Sequence, residues 1–352
     1  MRPSTALSFC LLISAIPLLA HAELMIGGYP PGASSAHPLR QFAATAQGPA
    51  SPIREIGGPA TGLYGPASAS FEPSENLLYV SDFWGQAIRV FPAYANGDVA
   101  PLRVINPPIL GQTRSNVPIV AHDELAAIAS NCCIYTFPLH ADGDAVPRIR
   151  SISWGGIPGS PTQLNNPLAL TWLPDSDELA VVDYDLDPPY ASKVVFHART
   201  ADGQATPTRV LKSIHTANAA GLAHDPIQHK LYLLTSTTTD SVNFVAQIRV
   251  FADTAANADA PLYTIEAAAT QLDFTSVQYP SGIGIDPGLQ RLMVGISANG
   301  NPADNRVVSF ALSASGNAAP VQVLSGTSLS PGSIGAPFAM PTAVIFTSGF
   351  DD

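Results

Sequence analysis

The residues whose types and spacing are most suited to chemistry are the acids of Asp183-Tyr184-Asp185-Leu186-Asp187-Pro188. Alternating carboxylates in a loop can surround a hard, oxygen-seeking cation, which makes Asp183, Asp185 and Asp187 a candidate Ca²⁺ set. The glycine and distal glutamate of an EF-hand loop are missing, so a solvated acidic turn is the competing reading. Cys132 and Cys133 are adjacent, and in an oxidising compartment such neighbours can close a vicinal disulfide. Aromatic rings accompany the acids: Phe83 and Trp84 follow Asp82, Tyr184 follows Asp183, and Trp154 and Tyr190 lie in nearby loops. Rings of this kind can stack on a carbohydrate or anchor a protein partner; the plainer reading is that each covers its own stretch of surface. His122-Asp123 and His224-Asp225 invite a catalytic reading, yet they fall at equivalent places in a repeat and read as turn residues. No Gly-x-Ser-x-Gly elbow, phosphate loop or zinc-protease signature occurs in the sequence.

The elements that must position these side chains follow from that repeat. An apolar run ends in Phe, a polar turn with Gly follows, and Pro opens a short β-rich tail. The clearest copy is Ile88-Arg89-Val90-Phe91, then Ala95, Gly97, Pro101, Arg103 and Ile105. The frame recurs from Phe42, Phe137, Phe196, Phe251 and Phe310, at successive spacings of 49, 46, 59, 55 and 59 residues. Each unit also has a front half, such as Pro66–Phe71, a turn at Pro73–Asn76, and Leu77–Asp82. Short β-branched and aromatic runs separated by Pro, Gly, Asp and Asn read as antiparallel strands. Four strands in about 50 residues is the blade of a propeller, and no helical period competes.

The ends complete the count. The first frame lacks an innermost strand, while Pro341–Phe346 resembles an innermost strand with nothing after it. Joining them removes two unpaired sheet edges. The expectation is an all-β, six-bladed propeller of four-stranded antiparallel blades. Its blades span approximately 57–105, 106–152, 153–211, 212–265 and 266–324, with 325–352 joined to 23–56.

The pattern Pro-x-Gly-Ile-x-Ile-Asp-Pro at 280–287, with Leu-Tyr-Val-x-Asp at 78–82 and Ile-Arg-Val-Phe at 88–91, resembles the NHL-like repeat and related six-bladed propellers, including TolB-like and gluconolactonase-related scaffolds. The resemblance covers nearly the whole chain after residue 22. It implies the scaffold but does not select a function, because that broad group contains lactonases, lyases, sugar dehydrogenases and non-catalytic interaction modules. The Glu, Asn and Asp metal-ligand set of the gluconolactonase-like members has no counterpart at the equivalent second-strand ends, which read Asp82, Ala129, Asp183, Thr235, Ile296 and Gly28. Some quinone-dependent propeller dehydrogenases hold a vicinal disulfide beside the cofactor; only the dipeptide is shared. The tail Phe346–Asp352 is similar to short C-terminal tails of secreted proteins from Gram-negative bacteria.

Residues 1–22 read as a signal peptide, with Arg2, the apolar run Leu7–Ala20 and the small-x-small site Ala20-His21-Ala22. The expected destination is the periplasm or the extracellular space. Without Arg2 the chain carries 15 Lys+Arg against 27 Asp+Glu. That excess of acid argues against nucleic acid and anionic membrane as partners, and no second apolar run is long enough to span a bilayer. The expected function is non-catalytic binding of a ligand or protein partner through the variable loops that join strands two to three and blade to blade. The alternative is a divalent-cation-dependent, lactonase-like hydrolase or lyase using Asp82 and Asp183 at the central channel. No cofactor is implied beyond a possible Ca²⁺.

Overall fold

The six frame phenylalanines, Phe42, Phe91, Phe137, Phe196, Phe251 and Phe310, are completely buried, which explains why the repeat holds that position. A computed structural model describes residues 23–29, 37–113, 119–129, 132–153, 159–184, 192–238 and 240–340. Six antiparallel sheets follow one another along the chain and form a six-bladed β-propeller. Blade one comprises Pro66–Glu72, Leu77–Asp82, Ala87–Pro92 and Arg103–Ile105. The second strand of each blade is covered on both faces by neighbouring blades. Leu77–Asp82 and Glu178–Asp183 are buried at every position, which accounts for their near-continuous apolar runs in place of strict alternation. The core is accordingly distributed as apolar clusters, several of them between blades; one joins Tyr79, Ile88 and Val90 of blade one to Leu125, Ala127 and Phe137 of blade two.

The Ala-x-Gly turn has a task that the repeat alone did not reveal. At each of the six junctions its glycine, or Asn257 in blade four, forms a parallel bridge with the outer strand of the preceding blade. The Gly97 N–H donates to Glu55 O at 2.7 Å, Gly143 to Val104 O at 2.7 Å, and Gly48 to Val323 O at 2.8 Å. The residue before the glycine adds a second contact: Asp142 Oδ1 accepts the Val104 N–H at 2.9 Å and Asp202 Oδ1 the Ser151 N–H at 2.8 Å. The turn is therefore a clasp between blades. It requires a left-handed backbone, with φ +80° at Gly97, +86° at Gly143 and +54° at Asn257; asparagine is the residue after glycine that tolerates this region best.

The ring closes through the chain ends. Phe338–Met340 pairs with Glu23–Ile26, which pairs in turn with Leu39–Phe42 and Arg54–Ile56. The innermost strand thus precedes the stretch expected to supply it, and residues 341–352 lie outside the described residues. Phe338 and Met340 are buried in one cluster with Met25 and Leu39, which holds this strand in place. Gly28–Tyr29 pairs further with Ser333–Ile334, and Gly48 clasps Leu324.

Blade four departs from the expected four strands. Its middle strands run on to Lys230–Thr238 and Asn243–Ala252, and Asp273–Thr275 joins as a fifth strand. Thr235 is consequently inside a strand instead of at its end. Phe244 and Phe274 stack at 5.3 Å across the addition.

Candidate functional site

Asp82 and Asp183, the carboxylates expected at the channel, occupy equivalent and fully buried positions. Asp82 Oδ1 accepts the Gly65 N–H at 2.7 Å and the Tyr64 N–H at 3.1 Å, and Oδ2 receives the Arg89 guanidinium at 2.8 Å. Asp183 Oδ1 accepts the Asn165 and Asn166 N–H groups, both at 2.8 Å, with Lys193 Nζ at 3.7 Å from Oδ2. Each acid ties the segment entering its blade to the end of the second strand. Backbone donors and a cation thus hold both carboxylates in place, Lys193 facing Asp183 Oδ2 as a charge partner beyond hydrogen-bond distance. Asp185 and Asp187, the rest of the candidate Ca²⁺ set, lie outside the described residues.

Cys132 and Cys133 are joined as a vicinal disulfide in the turn between strands two and three of blade two, where the Cys132 N–H donates to Ala129 O at 3.1 Å. Of the aromatic candidates, Phe83 and Trp84 meet edge to face at 4.9 Å, and Trp84 lies against Gly65, where a Cβ would fall 2.7 Å from the indole. These two rings cap blade one. Tyr184 is 38% exposed; Trp154 and Tyr190 lie outside the described residues. The same face bears the extension of blade four, with Val242 and Val277 exposed at 54% and 59%.

The two His-Asp pairs are not equivalent, contrary to the repeat-based expectation. His122 and Asp123 form the tight turn itself, with φ +48° and +63°, a hairpin geometry that asparagine, aspartate and histidine tolerate. His224 and Asp225 end the innermost strand Gly221–Asp225. Asp225 Oδ1 caps the next turn through the Ile227 and Gln228 N–H groups, while His224 Nε2 stands 3.3 Å from Asp253 Oδ2.

The central channel provides a cavity of about 600 Å³. It lies between the innermost strands of blades one, three, four, five and six, towards the face that carries the turns between strands one and two. Its lining is mainly apolar, with Phe71, Leu170, Leu222, Ile285 and Phe338, and its polar side chains include Ser70, Thr171, His224 and Asp286. Burial pushes the Asp286 carboxyl above the usual carboxylate range, against backbone hydrogen bonds from Leu289 and Gly288 that pull it down. Towards the opposite face the strands of blades five, six and one draw into direct contact. The Ala336 N–H donates to Ala67 O at 2.9 Å, and a Cβ at Gly335 would lie 2.0 Å from that same oxygen. Only glycine permits this approach. Sequence reasoning missed the cavity because its lining comes from five separate strands; the glycines near 282, 284 and 335 were its one local signal.

No protein-family model and no curated protein sequence matches this chain. Among solved structures, a chain of a nidogen/laminin complex matches with a TM-score of 0.58 at 12% identity, over 90% of this chain and 98% of that one. Hydrazine synthase of Kuenenia stuttgartiensis matches at 0.46 and 13%, over 78% and 76%. The first of these likenesses is one of fold, and the fold is the six-bladed β-propeller.

Proposed function

We propose that this protein is a non-catalytic binding propeller of the NHL-like type whose ligand seat is the wide end of the central channel. The observation that carries the reading is the cavity of about 600 Å³ with apolar walls and a few polar side chains, the size and character of sites that take small ligands or a protein side-chain cluster. The carboxylates nearest to a lactonase-like arrangement, Asp82 and Asp183, already hold backbone N–H groups, which favours binding over hydrolysis. The ligand has an apolar body and a polar group that reaches Ser70, Thr171 or His224. The leader read at residues 1–22 sends the protein across the inner membrane, so the ligand is met in the periplasm or outside the cell. A second reading, a protein partner on the opposite face, is favoured by the exposed Val242 and Val277 of the blade-four extension.

The test is titration of the mature chain with an environment-sensitive apolar fluorophore, anilinonaphthalene sulfonate. Thr171→Trp, which fills the wide end of the cavity, is expected to weaken binding at least tenfold, while Tyr184→Ala and Val242→Ser leave it within twofold. Binding that survives Thr171→Trp but is lost on the opposite face would move the seat to the variable loops.

A further inference from the structure

Beside the channel, between blades three and four, three turns converge. Asp175 comes from the first turn of blade three, His229 from the first turn of blade four, and Asp253 follows the third strand of blade four. His229 Nδ1 lies 3.1 Å from Asp175 Oδ2 and 3.3 Å from Asp253 Oδ2, and the three potential ligand atoms all lie within 4.8 Å of one another. We infer that Asp175, His229 and Asp253 form a divalent transition-metal site, of the kind that takes Zn²⁺.

The geometry argues for an ion more than for an ion pair. Two carboxylate oxygens converge on one imidazole nitrogen, so a single N–H would have to be divided between them in a weaker three-centre bond. A cation between them accepts a lone pair from each of the three atoms. Ligand bonds of about 2.0–2.2 Å around zinc place neighbouring ligand atoms roughly 3.0–3.6 Å apart, which the two nitrogen–oxygen separations already meet. One imidazole with two carboxylates suits zinc or a similar borderline ion better than calcium, which prefers an all-oxygen shell.

The backbone holds the set in place. The Asp253 N–H donates to the His229 carbonyl at 3.0 Å, and the Asp225 carboxylate fixes the turn that carries His229. Behind Asp253, His224 Nε2 stands 3.3 Å from the same Oδ2, with its side chain only 4% exposed. An outer imidazole that donates to a liganding carboxylate orients it. Arg209, which lines the hollow, is held by Glu178 at 2.8 Å. The hollow next to the cluster, lined by Leu173, Ser176 and Thr254 among others, leaves room for water to complete the coordination shell. The proposed ion joins blades three and four, and its ligands Asp175, His229 and Asp253 lie outside the channel lining, with which the site shares His224.

The experiment is calorimetric titration of the chelator-treated mature protein with Zn²⁺, and separately with Ca²⁺. One equivalent of Zn²⁺ is expected to bind in preference to Ca²⁺ and to raise the melting temperature. Asp175→Asn, a change on a side chain 60% exposed, and His229→Gln should each weaken binding at least tenfold while the apo melting temperature stays within a few degrees. His224→Gln should weaken it about tenfold with the stoichiometry unchanged. Absence of a saturable equivalent, or undiminished binding in folded Asp175→Asn and His229→Gln, overturns the site and leaves an ion pair only.

Discussion

His197 shows how one buried side chain can set the acid tolerance of the whole protein. Its ring is completely buried, with Nε2 3.1 Å from Thr162 O, and burial pulls its pKa down to about 4 from the ordinary 6.5. The unfolded chain therefore binds a proton, as pH falls through 6.5, that the folded chain refuses until about 4. Stability is full above pH 6.5 and declines as pH falls towards 4, by about 3 kcal/mol across that window. Urea denaturation at intervals from pH 7 to 4 should show this slope in the native sequence and its flattening in His197→Gln; an unchanged slope assigns the acid loss elsewhere. Asp82 and Asp183 teach a related lesson. Sequence shows the type and spacing of these two acids, whereas the N–H groups that bond to them come from residues 17 or 18 positions earlier.

At the scale of elements, the glycine turn links neighbouring blades as well as reversing the chain. Gly143 donates to Val104 O and has φ +86°, and nothing lies within 4 Å of where a Cβ would sit. Gly143→Ala thus isolates the backbone cost, and should destabilise the propeller by about 1 kcal/mol in chemical denaturation. Asn257→Gly, at the one clasp already filled by another residue, should change stability by less than about 0.5 kcal/mol. A Gly143→Ala protein as stable as the native one would remove the conformational reason for glycine there. The turn residues were legible in the sequence because they recur. Their partners were not, since each clasp reaches the outer strand of the preceding blade.

For the whole molecule, closure joins residues more than three hundred positions apart: Leu24 pairs with Ala339 and Met25 with Phe338. Without Phe338–Met340 the strand Glu23–Ile26 becomes an open edge, and the apolar cluster of Met25, Leu39 and Phe338 is exposed. A chain ending at Ala336 should lose cooperative thermal unfolding and elute as aggregate in size-exclusion chromatography. A sharp, monomeric melt from that chain would show that five blades and a partial sixth suffice. The same closure shapes the proposed seat, because Pro337, Phe338 and Ala339 line the channel cavity.

By itself the sequence determined most of the strands, the number of blades and the residues of the recurring turns, because burial of a phenylalanine and a left-handed turn residue are local demands repeated six times. It also identified the adjacent cysteines, whose bonding needs no distant partner. Only the tertiary structure decided which face holds the cavity, which backbone groups Asp82 and Asp183 bond, and that Asp175, His229 and Asp253 meet. Those outcomes depend on distances between turns of different blades. Such distances are set by how the blades pack around the axis, and no single stretch of chain encodes them.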